Sequence, residues 1–309
     1  MTDIGFIGLG NMGQWMSQRL VSAGHHVYGY DVSDAAVEAF VLAGGTAARN
    51  VRDAASTVEL VITMLPDTPQ VLDVMEPDND SGLLGSVRPG TVVVDMSTIA
   101  PAASRRLARS AASRKLDFLD APVSRGQDAA KTGELLILAG GHADVFARIE
   151  ATFACMGSTV LHVGPNGSGA VAKLVNNLIV GAVVCATAEG LVYGVKAGVE
   201  ANALMQVLME ASGRTFVLEK FFPSALAGDF EPGFFVDLMH KDLGLALSDA
   251  AAQPVPLVMA AAAKDLFSRC QAAGLGRQDM TAILHHLADA ADVQVRVPST
   301  GSDPSPGRT

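Results

Sequence analysis

The sequence predicts an α/β chain in which a doubly wound parallel sheet is followed by an all-helical C-terminal domain. Three observations carry that prediction. Short β-rich runs alternate with helical patterns up to about residue 165, the signature of βαβ units. The first of these runs ends in a glycine-rich turn. From about residue 166 the strand signal vanishes, and long stretches of Ala, Leu, Val and Met take over.

The strand candidates, in order, are residues 4–7, 26–30, 58–63, 91–95, 117–120, 135–139 and 159–162, with helical segments between them. The helical part opens with one stretch over 168–197, roughly 45 Å long at 1.5 Å per residue, which Gly198 stops. Its most apolar portion, 174–195, contains Asn176, Asn177 and Glu189, which favours a buried helix over a membrane span. The expected organisation is a nucleotide-binding domain over 1–165, a helical domain over 166–292 and a disordered tail over 293–309. The final VPSTGSDPSPGRT is too rich in Pro, Ser and Gly to bury a core.

Composition limits the partners. At 309 residues two domains are expected, and 49% hydrophobic residues against 17% charged leave many apolar helix faces to hide. Association into a homodimer or homotetramer through the helical domain would cover them. A formal charge of −10 repels nucleic-acid phosphate and anionic lipid, so neither a nucleic acid nor a membrane is an expected partner. Cys155, Cys185 and Cys270 are an odd number without CxxC spacing, which fits reduced thiols rather than a disulfide or zinc site. The opening MTDIGFIGLG reads as a strand entering a turn, with neither the basic segment nor the cleavage site of a signal peptide. The expected location is cytoplasmic.

The turn itself is informative. Residues 4–13, IGFIGLGNMG, place GxGxxG between a strand and a helix, as a pyrophosphate site of the Rossmann type requires. Gly8 permits the tight turn, Gly10 lets backbone approach the pyrophosphate, and Gly13 lets helix and strand pack closely. Asn11 and Met12 complete the turn, whose amides open the helix. The second strand leads into Asp31, about twenty residues onward, where a carboxylate can accept hydrogen bonds from both adenosine ribose hydroxyls. That carboxylate would repel a 2′-phosphate and no arginine follows it closely, so NAD is expected in preference to NADP.

Four motifs in order extend this reading: GFIGLGNMG at 5–13, DAPVSRGQDAAKTGELLILAGG at 120–141, GSGAVAKLVNN at 167–177 and HKDLGLAL at 240–247. Together they resemble the β-hydroxyacid dehydrogenase family over about residues 3–290. That family includes 3-hydroxyisobutyrate dehydrogenase, tartronate semialdehyde reductase and sulfolactaldehyde reductase. The resemblance implies reversible hydride transfer between a nicotinamide cofactor and a small anionic β-hydroxyacid, giving its semialdehyde.

The resemblance also implies roles for individual residues. Lys173 is identified as the acid–base group, and Asn177, one helical turn on and on the same face, as the residue that orients the substrate oxygen. An apolar cleft between the domains would lower the pKa of such an amine toward the operating pH. Ser124, Arg125 and Gly126 stand where the family anchors its substrate, though Arg125 replaces the more usual glycine and suggests a planar or tetrahedral anion as its partner. Sulfolactaldehyde reductases resemble this chain at that arginine and again at 240–243 and at Gly276-Arg277-Gln278-Asp279. Met64, Leu65, Pro66 and the Ser97-Thr98 turn follow strands and are expected to line the cofactor, with Thr98 in contact. Lys241 resembles the lysine that reaches the nicotinamide side, with Asp242 steadying it, and Phe235 would wall the substrate pocket.

Other readings carry less. Imine reductases share the architecture but usually lack the lysine, and a non-catalytic dinucleotide-binding protein would have no use for both Lys173 and Asn177. The adjacent His285 and His286 cannot share a helix face, so no metal site is expected.

Overall fold

The computed structural model describes residues 1–76, 82–231 and 233–297. Nine strands form one sheet: β1 (Asp3–Ile7), β2 (His26–Tyr30), β3 (Thr46–Ala47), β4 (Leu60–Thr63), β5 (Val92–Asp95), β6 (Asp117–Asp120), β7 (Val123–Ser124), β8 (Leu136–Gly140) and β9 (Thr159–Gly164). Their order is β3-β2-β1-β4-β5-β6-β8-β7, with β9 on β8. The chain steps outward from β1 in one direction to β3, then returns to β4 and steps out in the other. That reversal places a crevice at the carboxyl ends of β1 and β4, where doubly wound sheets bind ligands.

The sheet is mixed rather than wholly parallel. Strand β8 runs antiparallel to both β6 and β7, while β3 to β6 and the β8–β9 pair are parallel. Two strands of two residues each, β3 and β7, were below the length at which alternation is legible in sequence. The apolar strands feed both faces. Ile4, Phe6, Leu60, Ile62, Val92 and Val94 enter one core, whereas Ile7, Val61 and Val93 enter another on the opposite side.

The chain divides into two compact units at Asn176 and Asn177, inside the long helix Ser168–Lys196. In the second unit, helices Phe216–Ala227, Val236–Ala251 and Val258–Ala272 supply a core around Phe222, Leu243 and Phe267. The long helix is not buried all round: Val175 and Ile179 are about half exposed and Tyr193 is 76% exposed. The start of the expected tail is also ordered, since Val295 is buried and the Val297 amide donates to the Leu226 carbonyl at 3.0 Å. Residues 298–309 of that tail lie outside the described residues.

Candidate active site

The glycine turn is built by close backbone approach. Gly8 has φ +96°, and a Cβ there would lie 2.2 Å from the Met64 carbonyl oxygen. A Cβ on Gly13 would lie 1.9 Å from the Gly8 carbonyl oxygen, so the helix Gly13–Ser22 starts directly against the turn. Gly10 differs, because a Cβ there would meet nothing within 4 Å. The space above Gly10 is open, and no side chain caps the helix that follows Met12. Gly8 and Gly13 thus make a close turn, Gly10 leaves open space beside it, and Asn11 and Met12 lie in that turn ahead of the helix, an arrangement that could hold a pyrophosphate.

Asp31 follows β2 and ties the turn to it. One carboxylate oxygen accepts the Leu9 amide at 2.7 Å and the other the Ser33 amide at 2.8 Å. The next cation in sequence, Arg49, is held by Asp53 in a two-bond pair, Nε to Oδ2 at 3.1 Å and Nη2 to Oδ1 at 3.0 Å.

The turns after β4 and β5 are laced together. The Leu65 amide donates to Ser97 Oγ at 2.8 Å, which joins Met64, Leu65 and Pro66 to the Ser97-Thr98 turn. Beneath them lies Asp95, fully buried, accepting from Thr63 Oγ1 at 2.8 Å and from the Ser97 amide at 3.2 Å. Among the described residues its other oxygen has no hydrogen-bond partner, and burial pushes its carboxyl up to about 6 against those bonds.

Asp120, which pairs in register with Asp95, ends β6 and is equally buried. Its two oxygens accept the amides of Gly167 at 2.7 Å and Ala170 at 2.9 Å, so it holds the beginning of the long helix. Burial again dominates and raises its carboxyl to about 6. Lys173 lies one turn beyond that grip and is only 7% exposed, which for a lysine is exceptional.

Four residues past Asp120, Ser124 lies in β7, followed by Arg125 at φ +85° and Gly126 at φ +74°. The Arg125 guanidinium is already engaged within the protein. Nη1 donates to the Glu134 carbonyl at 2.9 Å and to Ser158 Oγ at 3.0 Å, and Nη2 to Thr159 Oγ1 at 3.2 Å. Sequence assigns this group to a substrate anion, whereas here it fastens its own turn to the segments flanking β8 and β9.

In the second unit, Asn177 is buried and donates from Nδ2 to Asp242 Oδ2 at 2.6 Å. Lys241 Nζ lies 3.1 Å from the other Asp242 oxygen, an ionic contact rather than a directed hydrogen bond. One carboxylate, 2% exposed, therefore steadies two expected site residues, and its hold on Asn177 is invisible in sequence. Phe235 opens the helix Val236–Ala251, bridges to Asp279, and carries the Arg277 guanidinium 4.3 Å from its ring centroid.

Asp95 and Asp120 were also missed as site-building residues. The available signal was a carboxylate closing a wholly apolar strand, as in VVVD at 92–95.

Known proteins resemble the chain along most of its length. Residues 3–164 match the NAD binding domain of 6-phosphogluconate dehydrogenase, and residues 167–287 the NAD-binding domain of NADP-dependent 3-hydroxyisobutyrate dehydrogenase. The chain is 40% identical over 282 residues to 2-(hydroxymethyl)glutarate dehydrogenase of Eubacterium barkeri, covering 91% of this chain and 93% of that one. It is 37% identical over 290 residues to NAD-dependent L-serine dehydrogenase of Pseudomonas aeruginosa, covering 92% and 97%. Among solved structures it is similar to Mycobacterium tuberculosis 3-hydroxyisobutyrate dehydrogenase with L-serine, at TM-score 0.86 and 34% identity over 93% of this chain and 99% of that one.

Proposed function

The chain belongs to the β-hydroxyacid dehydrogenase family, NAD(P)-dependent enzymes acting on CH–OH groups, and from that premise we propose that it interconverts a 2-substituted 3-hydroxypropanoate and its semialdehyde. The observation that carries the reading is a buried lysine, Lys173, one helical turn from an asparagine whose amide is held by a buried carboxylate. The substrate class follows from chemistry shared by the relatives' named substrates. L-Serine, 3-hydroxyisobutyrate and 2-(hydroxymethyl)glutarate each carry a CH2OH group on the carbon that bears a carboxylate, and differ at one substituent.

Bound at the glycine turn, the dinucleotide supplies the hydride acceptor for oxidation and the donor for reduction. Neutral Lys173 takes the hydroxyl proton as the carbonyl forms, and protonated Lys173 returns it in reduction. Asn177 orients the reacting oxygen, its amide fixed by Asp242. The Ser124 hydroxyl and the amides of Arg125 and Gly126, two successive left-handed residues, receive the substrate carboxylate. Arg125 adds positive charge nearby, but a direct bond to substrate would require it to give up the Glu134, Ser158 or Thr159 contact. A carboxylate substrate is favoured instead by the named substrates of the relatives above, each of which carries one. Phe235 walls the substrate side, and Lys241 serves the nicotinamide side.

We assign NAD as the preferred cofactor. Asp31 is fixed beside the turn, residues 32–48 contain no Lys or Arg, and Arg49 is occupied by Asp53. A 2′-phosphate would meet the Asp31 carboxylate, and the seventeen residues that follow it supply no Lys or Arg to offset that repulsion. We also assign the protein to a homodimer or homotetramer, because Val175, Ile179 and Tyr193 lie on one exposed stripe of the long helix with Ala182, Ala186 and Gly190 between them. Light scattering after gel filtration checks this, and a monomer at micromolar concentration refutes it.

The deciding assay measures NAD and NADP reduction with 3-hydroxyisobutyrate, L-serine and 2-(hydroxymethyl)glutarate. Turnover of at least one, at higher kcat/KM with NAD, and a fall of about 10²-fold or more in Lys173→Ala are expected. Silence on all three acids, or full turnover by Lys173→Ala, overturns the assignment.

A further inference from the structure

The start of the long helix is moored to the sheet more tightly than packing alone requires. Asp120 accepts the amides of Gly167 and Ala170, and Asn166 Nδ2 donates to the Phe118 carbonyl at 2.8 Å, so two side chains bind this turn to β6. Two glycines make the approach possible. A Cβ on Gly169 would lie 2.3 Å from the Leu138 carbonyl oxygen and 2.5 Å from that of Asp120, and one on Gly140 would lie 2.8 Å from the Gly169 amide nitrogen. The helix can therefore neither slide nor lift from the ends of β6 and β8 without losing charge-assisted bonds.

Asp120 stands between two site residues. Ser124 is four residues further along the chain, in β7, and Lys173 is three residues beyond Ala170, about 4.5 Å along the helix axis. We propose that Asp120 is a positioning residue for the reaction: its carboxylate, by gripping the Gly167 and Ala170 amides, fixes the register of Lys173 against the Ser124 turn. This rests on Lys173 being the acid–base group. Asp120 itself touches no reacting atom, and its neighbour Asp95 joins the end of β4 to the turn after β5 through Thr63 Oγ1 and the Ser97 amide.

The test is Asp120→Asn, which keeps the shape but presents one acceptor where the wild type presents two. It is assayed with the best of the three acids above, NAD affinity is measured separately, and hydrogen exchange is followed at Gly167 and Ala170. Because a misplacement near 1 Å costs on the order of 10²-fold, kcat is expected to fall by roughly 10- to 100-fold while KM and NAD affinity change by less than about 3-fold. Exchange at the two amides should accelerate, and since a negative charge leaves the vicinity of Lys173, the alkaline-rising limb of the oxidation profile should move to lower pH. Faster exchange with unchanged kcat means a purely structural cap and overturns the proposal, as does no change in either. Should Asp120→Asn not fold, Asn166→Ala loosens the same mooring, and wild-type kcat in that folded variant overturns the proposal equally. Lys173→Ala separates the two claims: if it stays active the underlying assignment fails, whereas if it is dead and Asp120→Asn is fully active only the positioning role fails.

Discussion

Replacing Asp242 by alanine should expose how much of the second unit rests on one buried carboxylate. The substitution leaves the Lys241 ammonium, 17% exposed, without the oxygen now 3.1 Å away, and removes the acceptor 2.6 Å from Asn177 Nδ2. Truncating one member of a buried ion pair costs about 3–5 kcal/mol, because the other charge stays desolvated. Lys241 retains some water, which lowers that figure to about 2–4 kcal/mol, and the lost amide acceptor adds about 1 kcal/mol. The two losses share one residue and are not additive, so about 3 kcal/mol is expected. Asp242→Asn keeps an acceptor for Asn177 and loses only the charge, for about 1–2 kcal/mol. Urea unfolding followed by helical circular dichroism reads the helices of both units. The single tryptophan, Trp15, lies in the first unit and gives an independent probe there. The dichroism midpoint should shift in the order alanine, then asparagine, then wild type. A shift worth less than about 1 kcal/mol in the alanine variant, or equal shifts in both variants, would refute the view of Asp242 as a charged anchor.

Other expectations follow from the same geometry. Gly13→Ala drives a methyl to 1.9 Å from a backbone oxygen and should destabilise by more than about 2 kcal/mol, whereas Gly10→Ala meets nothing and should fold normally yet bind NAD more weakly; melting curves and calorimetric titration distinguish the two. Asp95 and Asp120 have carboxyls raised to about 6, above the unfolded value near 3.9, so between about pH 4 and 6 the folded chain holds the extra protons. Their contribution to stability is greatest below that window and falls as pH rises through it, by on the order of 1–3 kcal/mol each. Urea midpoints at pH 5 and 7 should show Asp95→Asn flattening the dependence. Burial lifts the Cys185 and Cys270 thiols to about 12 and 11, so Cys155, half-buried, should be the first to react with a thiol reagent at pH 8; prior labelling of Cys185 would contradict the packing.

The parts of this molecule legible in sequence are those written in local spacing. GxGxxG between strand and helix, Asp31 at the end of the second strand, and Lys173 one turn before Asn177 are all patterns within a few dozen residues. Backbone geometry enforces the first of them, since a Cβ at Gly8 or Gly13 has no room. Strand β8 was legible, but its antiparallel pairing with β7 was not, because Val123 and Ser124 pair with Ile137 and Leu136 through a reversal that no periodicity encodes.

Buried carboxylates and Arg125 show the physical reason most clearly. A side chain's destination depends on partners brought close only by the fold: Asp120 reaches amides 47 and 50 residues away, Asn177 reaches Asp242 across 65, and Arg125 reaches Ser158 across 33. Sequence could say that a guanidinium follows Ser124, and from chemistry that it suits an anion. It could not say that Glu134, Ser158 and Thr159 would offer three acceptors first. The conformation at Arg125 strengthens that reading. A non-glycine residue at φ +85° carries a conformational cost of roughly 1–2 kcal/mol, which three hydrogen bonds from the same side chain can offset. An arginine free to swing toward substrate would forfeit that compensation. In the proposed reaction its role in anion recognition is therefore the field it contributes rather than a direct bond, with the holding assigned to Ser124 and the turn amides.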